Sequence, residues 1–401
     1  MQMAPKPDHV PQALVRDFNF FDIPDVDGDI HLGWKRLHEW PDLFWTPCNG
    51  GHWVASRADD LEEMYKNYEL FSSRHMAIPV AGMSDLPIHP VDADPPEHAG
   101  YRNLMAPAFS PKAMAALETK ARELSVGRIE SFIKRGECEF ISEFSKYMPI
   151  GIFLTMTNLP EADAARLLPL VDQKTRTDDV AAQLDAWNQV VTYVEGKVRE
   201  RIANPGDDLI SRFVQGKING EPISARHALG MSVLAMFAGL DTVVASLGHV
   251  MRFLALNPGH RRQLIEEPDL IPDAVEELLR RFSVTTDARE VRNDLEYKGV
   301  RFKAGDMILL PTKLHGLDER RFPDPLSVDF RRENKFHLAF GAGIHRCIGS
   351  MLARTELRVL LQEWLPRIPD FRIRPGAPVK TQAGQVSVIT ELPLQWDTAH
   401  A

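Results

Sequence analysis

Phe340-Gly341-Ala342-Gly343-Ile344-His345-Arg346-Cys347-Ile348-Gly349 is the stretch on which the reading of this chain turns. It is a glycine-rich loop that carries one cysteine and opens into a helix. Three features favour a thiolate at Cys347. The glycines let the backbone turn tightly and present N–H groups to the sulfur. The helix that begins after Cys347 brings its positive end close. Arg346 and His345 add positive character. Beyond the loop, Ala353, Leu357, Leu360, Leu361 and Trp364 recur at helical spacing and predict an apolar face turned to the core. The competing reading of a lone cysteine is a buried structural thiol, since free cysteine packs as a small hydrophobe. A closed zinc site needs about four ligands in paired spacings, and Cys48, Cys138 and Cys347 form no such pairs.

Composition narrows the class. The chain has 401 residues, 44% of them hydrophobic, which is ample for a core. Its 47 basic and 56 acidic residues leave a net charge of −9, which gives no support to extended binding of nucleic acid or an anionic membrane. Three widely spaced cysteines suit a reducing compartment, and the N-terminal residues lack a signal-peptide pattern, so a cytoplasmic location is expected.

Along the chain, Leu43-Phe44-Trp45 and His52-Trp53-Val54-Ala55-Ser56 flank Asn49-Gly50-Gly51 and read as a β-hairpin. Asp59 to Tyr65 reads as a helix with an acidic first turn. Six prolines and glycines between Met76 and Pro96 predict a long loop, and such loops are often functional. Helical periodicity follows over 97–134, 160–174 and 179–203. Ser224 then caps an apolar segment that runs to Leu256, about 50 Å of helix at ~1.5 Å per residue. Asp241 in its middle argues for a buried central helix over a membrane span. Further helices are expected at 259–267 and after Pro272. Runs at 296–302 and 307–311 read as strands joined by a turn at 303–306, residues 312–339 read mostly as loop, and 384–394 offers a last hairpin. No repeat or linker divides the chain, so residues 1–401 are expected to form a single, mainly α domain with small sheets.

Two further motifs stand beside the cysteine loop. Glu277 and Arg280 lie three apart on one helical face, a spacing that is most often a solvated pair of little energetic value. Ala238-Gly239-Leu240-Asp241-Thr242-Val243 sets a small residue, an acid and an alcohol in the long apolar helix. There the bland reading has Thr242 bonded back to a helix carbonyl and Asp241 facing solvent.

Together these residues resemble a known family. Phe340, Gly343, His345, Cys347 and Gly349 fit F-x-x-G-x-H-x-C-x-G, which resembles the haem-binding signature of the cytochromes P-450. Glu277-Leu278-Leu279-Arg280 is similar to that family's E-x-x-R pair, and Asp94-Pro95-Pro96-Glu97-His98-Ala99-Gly100-Tyr101-Arg102 to its D-P-P segment. Gly239 to Val244, Glu276 to Ser283 and Ile368 to Phe371 resemble the bacterial camphor 5-monooxygenase family. The resemblance implies a triangular, mostly helical fold and haem b with Cys347 as axial ligand. It places Phe340 beside the sulfur, has His345, Arg102 and Arg289 reach the propionates, and ties Glu277-Arg280 to the segment before the loop. It assigns Thr242 to position and Asp241 to relay the protons that O2 cleavage requires.

Leu86 stands where camphor hydroxylases carry a tyrosine donor, and His89 is the candidate to replace it. By alignment Leu234, Phe237 and Thr285 complete the pocket. The implied reaction is hydroxylation of a small terpenoid or norisoprenoid-like molecule. The alternatives are a camphor-type ketone hydroxylase, a peroxygenase and a haem sensor. No flavin or iron–sulfur motif is present, so electrons are expected from a [2Fe–2S] ferredoxin, itself reduced by a reductase, docking over Cys347 on a monomeric enzyme.

Overall fold

The computed structural model describes residues 3–80, 85–176 and 179–398. Its axis is the helix Ala225–Leu256, 32 residues long, whose start is fixed by the Ser224 side chain accepting from the His227 N–H. Met231, Val233, Met236, Leu240, Val244, Leu247, Met251 and Leu254 along it are buried, and they join three apolar cores. The length and apolarity that raise the question of a membrane span are thus spent inside the fold.

Helices pack on both sides of this axis. The stretch expected as one helix over 97–134 is divided into Glu97–Met105, a 3₁₀ turn Ala106–Phe109, and Pro111–Phe132. Pro107 and Pro111 lack the N–H a continuous helix would use, and the Ser110 side chain caps the second segment by accepting from Ala113 N–H. Ala164–Arg176 and Val180–Ala203 match the next two expected helices. Asp179 caps the latter by accepting from the N–H groups of Ala181 and Ala182. Tyr147–Met156 is a helix that periodicity did not reveal. Met148, Ile150, Ile152, Phe153 and Leu154 are buried on every side of it, so no polar face marks its period.

The principal sheet has five strands in the order Leu43–Thr46, His52–Ala55, Met307–Pro311, Thr286–Val291, Phe71–Ser72. The Leu43–Ala55 hairpin forms as expected, with Asn49, Gly50 and Gly51 all at positive φ in its turn. The expected pairing of 296–302 with 307–311 is corrected. Leu295–Tyr297 folds onto Val300–Phe302 across Lys298 and Gly299, both at positive φ. Met307–Pro311 instead pairs antiparallel with Thr286–Val291 and parallel with His52–Ala55. The terminal hairpin is likewise shifted, with Val388–Glu391 pairing with Lys380–Gln382, and Pro393–Trp396 with Phe371–Ile373 and Glu137–Glu139. Residues 312–339 hold one short helix, Thr312–Gly316, and otherwise no helix or strand. The described part of 76–96 likewise has neither.

Candidate active site

The cysteine loop is closed by the Cys347 N–H, which donates to the Phe340 carbonyl at 2.8 Å. Gly343 lies at φ +67°, and a Cβ there would come within 2.8 Å of the Tyr65 carbonyl oxygen and 3.0 Å of Lys66 Cα. Conformation and space both demand glycine at this position. The helix Ser350–Arg367 begins directly after Gly349, with Leu357, Leu360, Leu361 and Trp364 buried and Ala353 packed against the core as its spacing predicts. Arg354 covers the Phe340 ring at 4.5 Å and pairs with Glu276.

Cys48 and Cys138 are buried, while Cys347 is exposed. Burial raises its pKa against the pull of the Gly349 backbone hydrogen bond and of Arg102 and Arg346. The expected thiolate therefore does not arise from the protein charges alone. One contributor is absent, because burial together with Arg289, His98 and Arg102 pushes His345 down to about 3 and leaves it neutral at pH 7. A sulfur so placed becomes an anion when a metal cation binds it.

Around the loop stands a cluster of donors. Arg102, on the helix Glu97–Met105, donates to the Arg346 carbonyl at 2.7 Å. One turn earlier on the same helix, the His98 ring meets the His345 ring edge-on, centroids 4.4 Å apart. Both Nε2 atoms are buried and have no hydrogen-bond partner among the described residues. Arg289, 5% exposed on Thr286–Val291, donates to the Ala288 carbonyl and lies 5.1 Å over the Tyr65 ring. Tyr65 is fixed by donating to Asp287 and the Leu310 carbonyl, both at 2.9 Å. Two guanidiniums and two partnerless imidazoles thus converge at the cysteine loop. Such buried donors are costly without an acceptor, and a haem with its two propionates fits them. His98 was missed at the sequence level although it stands in the quoted D-P-P segment. Its spacing of four from Arg102 was the available signal.

The long helix leaves a short stretch of its surface uncovered. Ala238 and Gly239 are exposed in the middle of this mostly buried helix, and a Cβ on Gly239 would meet nothing within 4 Å. The helix runs unbroken through them, without the bulge that Gly239 permits. Thr242 Oγ1 donates to the Ala238 carbonyl at 2.8 Å, as the bland reading has it, but Asp241 is largely buried and keeps 9% of its surface exposed.

Glu277 and Arg280 are fully buried, joined by two bonds of 2.8 and 2.9 Å. Arg280 also donates to the carbonyls of Gly316, Pro325 and Ser327, while Glu277 accepts from the Asp329 N–H and from Arg332. Every strong donor and acceptor is satisfied, and the helix Ile271–Arg281 is tied to the segment that leads into the cysteine loop.

The expected pocket residues divide. Phe237 stacks on Trp187 of Val180–Ala203 with centroids 5.4 Å apart, and Leu234 is half-buried one turn before it. Thr285 Oγ1 lies 3.1 Å from Thr312 Oγ1, beside a bridge to Val386. Leu86 is buried, and the adjacent Pro87 carbonyl lies so close to Gly230 that a Cβ there would be 1.7 Å away. His89 is not brought to the others. Asp92 holds its Nδ1 at 2.6 Å, and its ring lies between Tyr101 and His227. His227 precedes Gly239 by roughly 18 Å of helix.

On the outer side of the loop lies a cleft of about 420 Å³ lined by Lys66, Lys335, Phe336, Phe340, Arg346 and Arg354, among others.

A family model described as cytochrome P450 matches residues 153–396, more than half of the chain. The probable cytochrome P450 127A1 of Sinorhizobium fredii is 34% identical over 402 residues, covering 98% of this chain and 97% of that protein. The mycinamicin IV hydroxylase/epoxidase of Micromonospora griseorubida is 30% identical over 311 residues, covering 76% and 78%. Among solved structures, CYP101J2 superposes with a TM-score of 0.91 and CYP101C1 with 0.90. Each is 37% identical and matched over 98% of this chain and 100% of the other.

Proposed function

The chain belongs to the cytochrome P450 family and is a haem b monooxygenase, and from that premise we propose that it hydroxylates a small, apolar, terpenoid or norisoprenoid-like molecule. The observation that carries this reading is the Phe237–Trp187 stack beside the exposed Ala238–Gly239 backbone. It gives the cavity an aromatic wall, in which shape and apolar contact decide selection. The nearest candidate for a ketone donor on the 76–96 loop, His89, is engaged elsewhere, so strict ketone recognition is not expected.

Bound haem supplies the redox centre at which O2, two electrons and two protons yield water and an oxygen atom inserted into a C–H bond. Cys347 Sγ would hold the iron and supply electron density to it. His98, His345, Arg102 and Arg289 would bind the propionates, two of them through Nε2 atoms that lack a partner among the described residues. Phe340, Gly343 and Gly349 shape the loop, and Glu277 with Arg280 keeps its approach rigid. Thr242 Oγ1 releases the Ala238 carbonyl to position a proton donor on the cavity side, and Asp241 passes protons inward from solvent. Thr285, whose hydroxyl meets that of Thr312, is assigned to the substrate pocket by the family likeness.

Electrons come from a [2Fe–2S] ferredoxin that docks at the cleft beside Arg346 and Phe336.

One titration series tests the substrate and the relay together. Ionone-type ketones are expected to bind and turn over, camphor to bind more weakly and without regioselectivity, and Thr242→Ala to lower product formed per electron pair. Tight, regioselective camphor turnover contradicts the substrate reading. An unchanged yield in Thr242→Ala contradicts the relay.

A further inference from the structure

The aromatic wall ends in a charge. Lys174, near the end of the helix Ala164–Arg176, places its Nζ 5.9 Å from the Trp187 ring centroid, and Trp187 in turn stacks on Phe237 at 5.4 Å. Two ring contacts therefore lead from this ammonium to the residue that adjoins Ala238 and Gly239.

Lys174 differs from the other interior cations. Arg57 is paired with Asp318, Arg280 with Glu277 and Arg281 with Asp29. The buried Lys313 lies over Trp34 and donates to Thr286 Oγ1 at 2.7 Å. Lys174 is partly buried, and burial alone, with no acid opposing it, lowers its pKa. Among the described residues its one contact of this kind is the face of Trp187. An ammonium that gives up water without gaining an acceptor leaves a deficit that a ring face only partly offsets. A carboxylate would remove that deficit.

We propose that Lys174 is a specificity-determining residue and that the substrate is a small apolar ring compound bearing a carboxylate. Its body lies along Trp187 and Phe237, and its anionic end is held by the Lys174 ammonium. The polar anchor of the pocket then sits on Ala164–Arg176 and not on the 76–96 loop, where Leu86 offers no donor. This rests on the reading that the pocket takes a small apolar molecule.

The test is an equilibrium titration of the haem-loaded enzyme with a monocyclic terpenoid carboxylic acid and with its methyl ester, read by tryptophan fluorescence and by the Soret shift. The wild type is expected to bind the acid about tenfold more tightly than the ester, as befits one charge-assisted hydrogen bond. Lys174→Met is expected to abolish that preference and Lys174→Arg to keep it. Equal affinity of acid and ester in the wild type, or a preference that survives in Lys174→Met, overturns the role of Lys174 while leaving the apolar pocket standing. Failure of both acid and ester to bind overturns the apolar pocket as well.

Discussion

Glu356 shows at the residue scale what the interior does to a charge that has no partner. It lies at 1% exposure on Ser350–Arg367, its Oε1 has no hydrogen-bond partner among the described residues, and burial pushes its pKa up to about 8. A folded pKa above the unfolded value of 4.5 means that the folded state retains a proton which the unfolded state releases above that pH. The group therefore costs stability increasingly from about pH 4.5 to about pH 8. Glu356→Gln removes this cost. Melting curves are expected to show the variant more stable than wild type at pH 8 by about 1–3 kcal/mol, with the gap closing near pH 5. A gap independent of pH contradicts the assignment. Gly343 illustrates the opposite case, a residue whose need was visible in the motif and whose reason, the closeness of Tyr65 and Lys66, was not.

At the scale of elements, the Glu277–Arg280 pair ties the helix Ile271–Arg281 to the segment that leads into the cysteine loop. Removing one member leaves the other charge buried, which costs about 3–5 kcal/mol. Glu277→Gln is therefore expected to lower unfolding free energy by that amount in a denaturant titration, and a loss under 1 kcal/mol would show that the network is dispensable. Local signals made much of this scale legible. The Asn49-Gly50-Gly51 turn, the Ser224 cap and the apolar stripe after Cys347 each depend on neighbours a few residues away. What escaped depends on distant ones. Thr286–Val291 pairs with Met307–Pro311 and Phe71–Ser72, and Met307–Pro311 pairs with His52–Ala55, a registry that no local pattern encodes. Tyr147–Met156 is apolar all round and so shows no period. His98 gains its meaning only from His345, 247 positions on, whose ring it meets.

For the whole molecule, a net charge of −9 coexists with a basic rim beside the cysteine loop. Much of that rim is already neutralised, since Lys66 pairs with Glu62, Lys335 with Asp273 and Arg354 with Glu276. Arg102 is drawn inward to the Arg346 carbonyl. Arg346 and the ring of Phe336, 48% exposed, remain as the features open to a partner. Docking of the proposed ferredoxin should accordingly depend on salt only modestly. The electron-transfer rate at subsaturating ferredoxin is expected to fall about two- to fivefold between low and physiological ionic strength, the worth of one or two exposed ion pairs. A salt-independent rate would place docking on apolar contact alone.

All of this presumes one bond, that between Cys347 and the haem iron. The absorption spectrum of the dithionite-reduced carbon monoxide complex tests it most directly, in the wild type and in Cys347→His. The wild type should show the strongly red-shifted Soret band of a thiolate ligand, and Cys347→His should retain haem through His98, His345, Arg102 and Arg289 but lose that shift. A wild type without the shift, or a variant that keeps it, would contradict the assignment of Cys347.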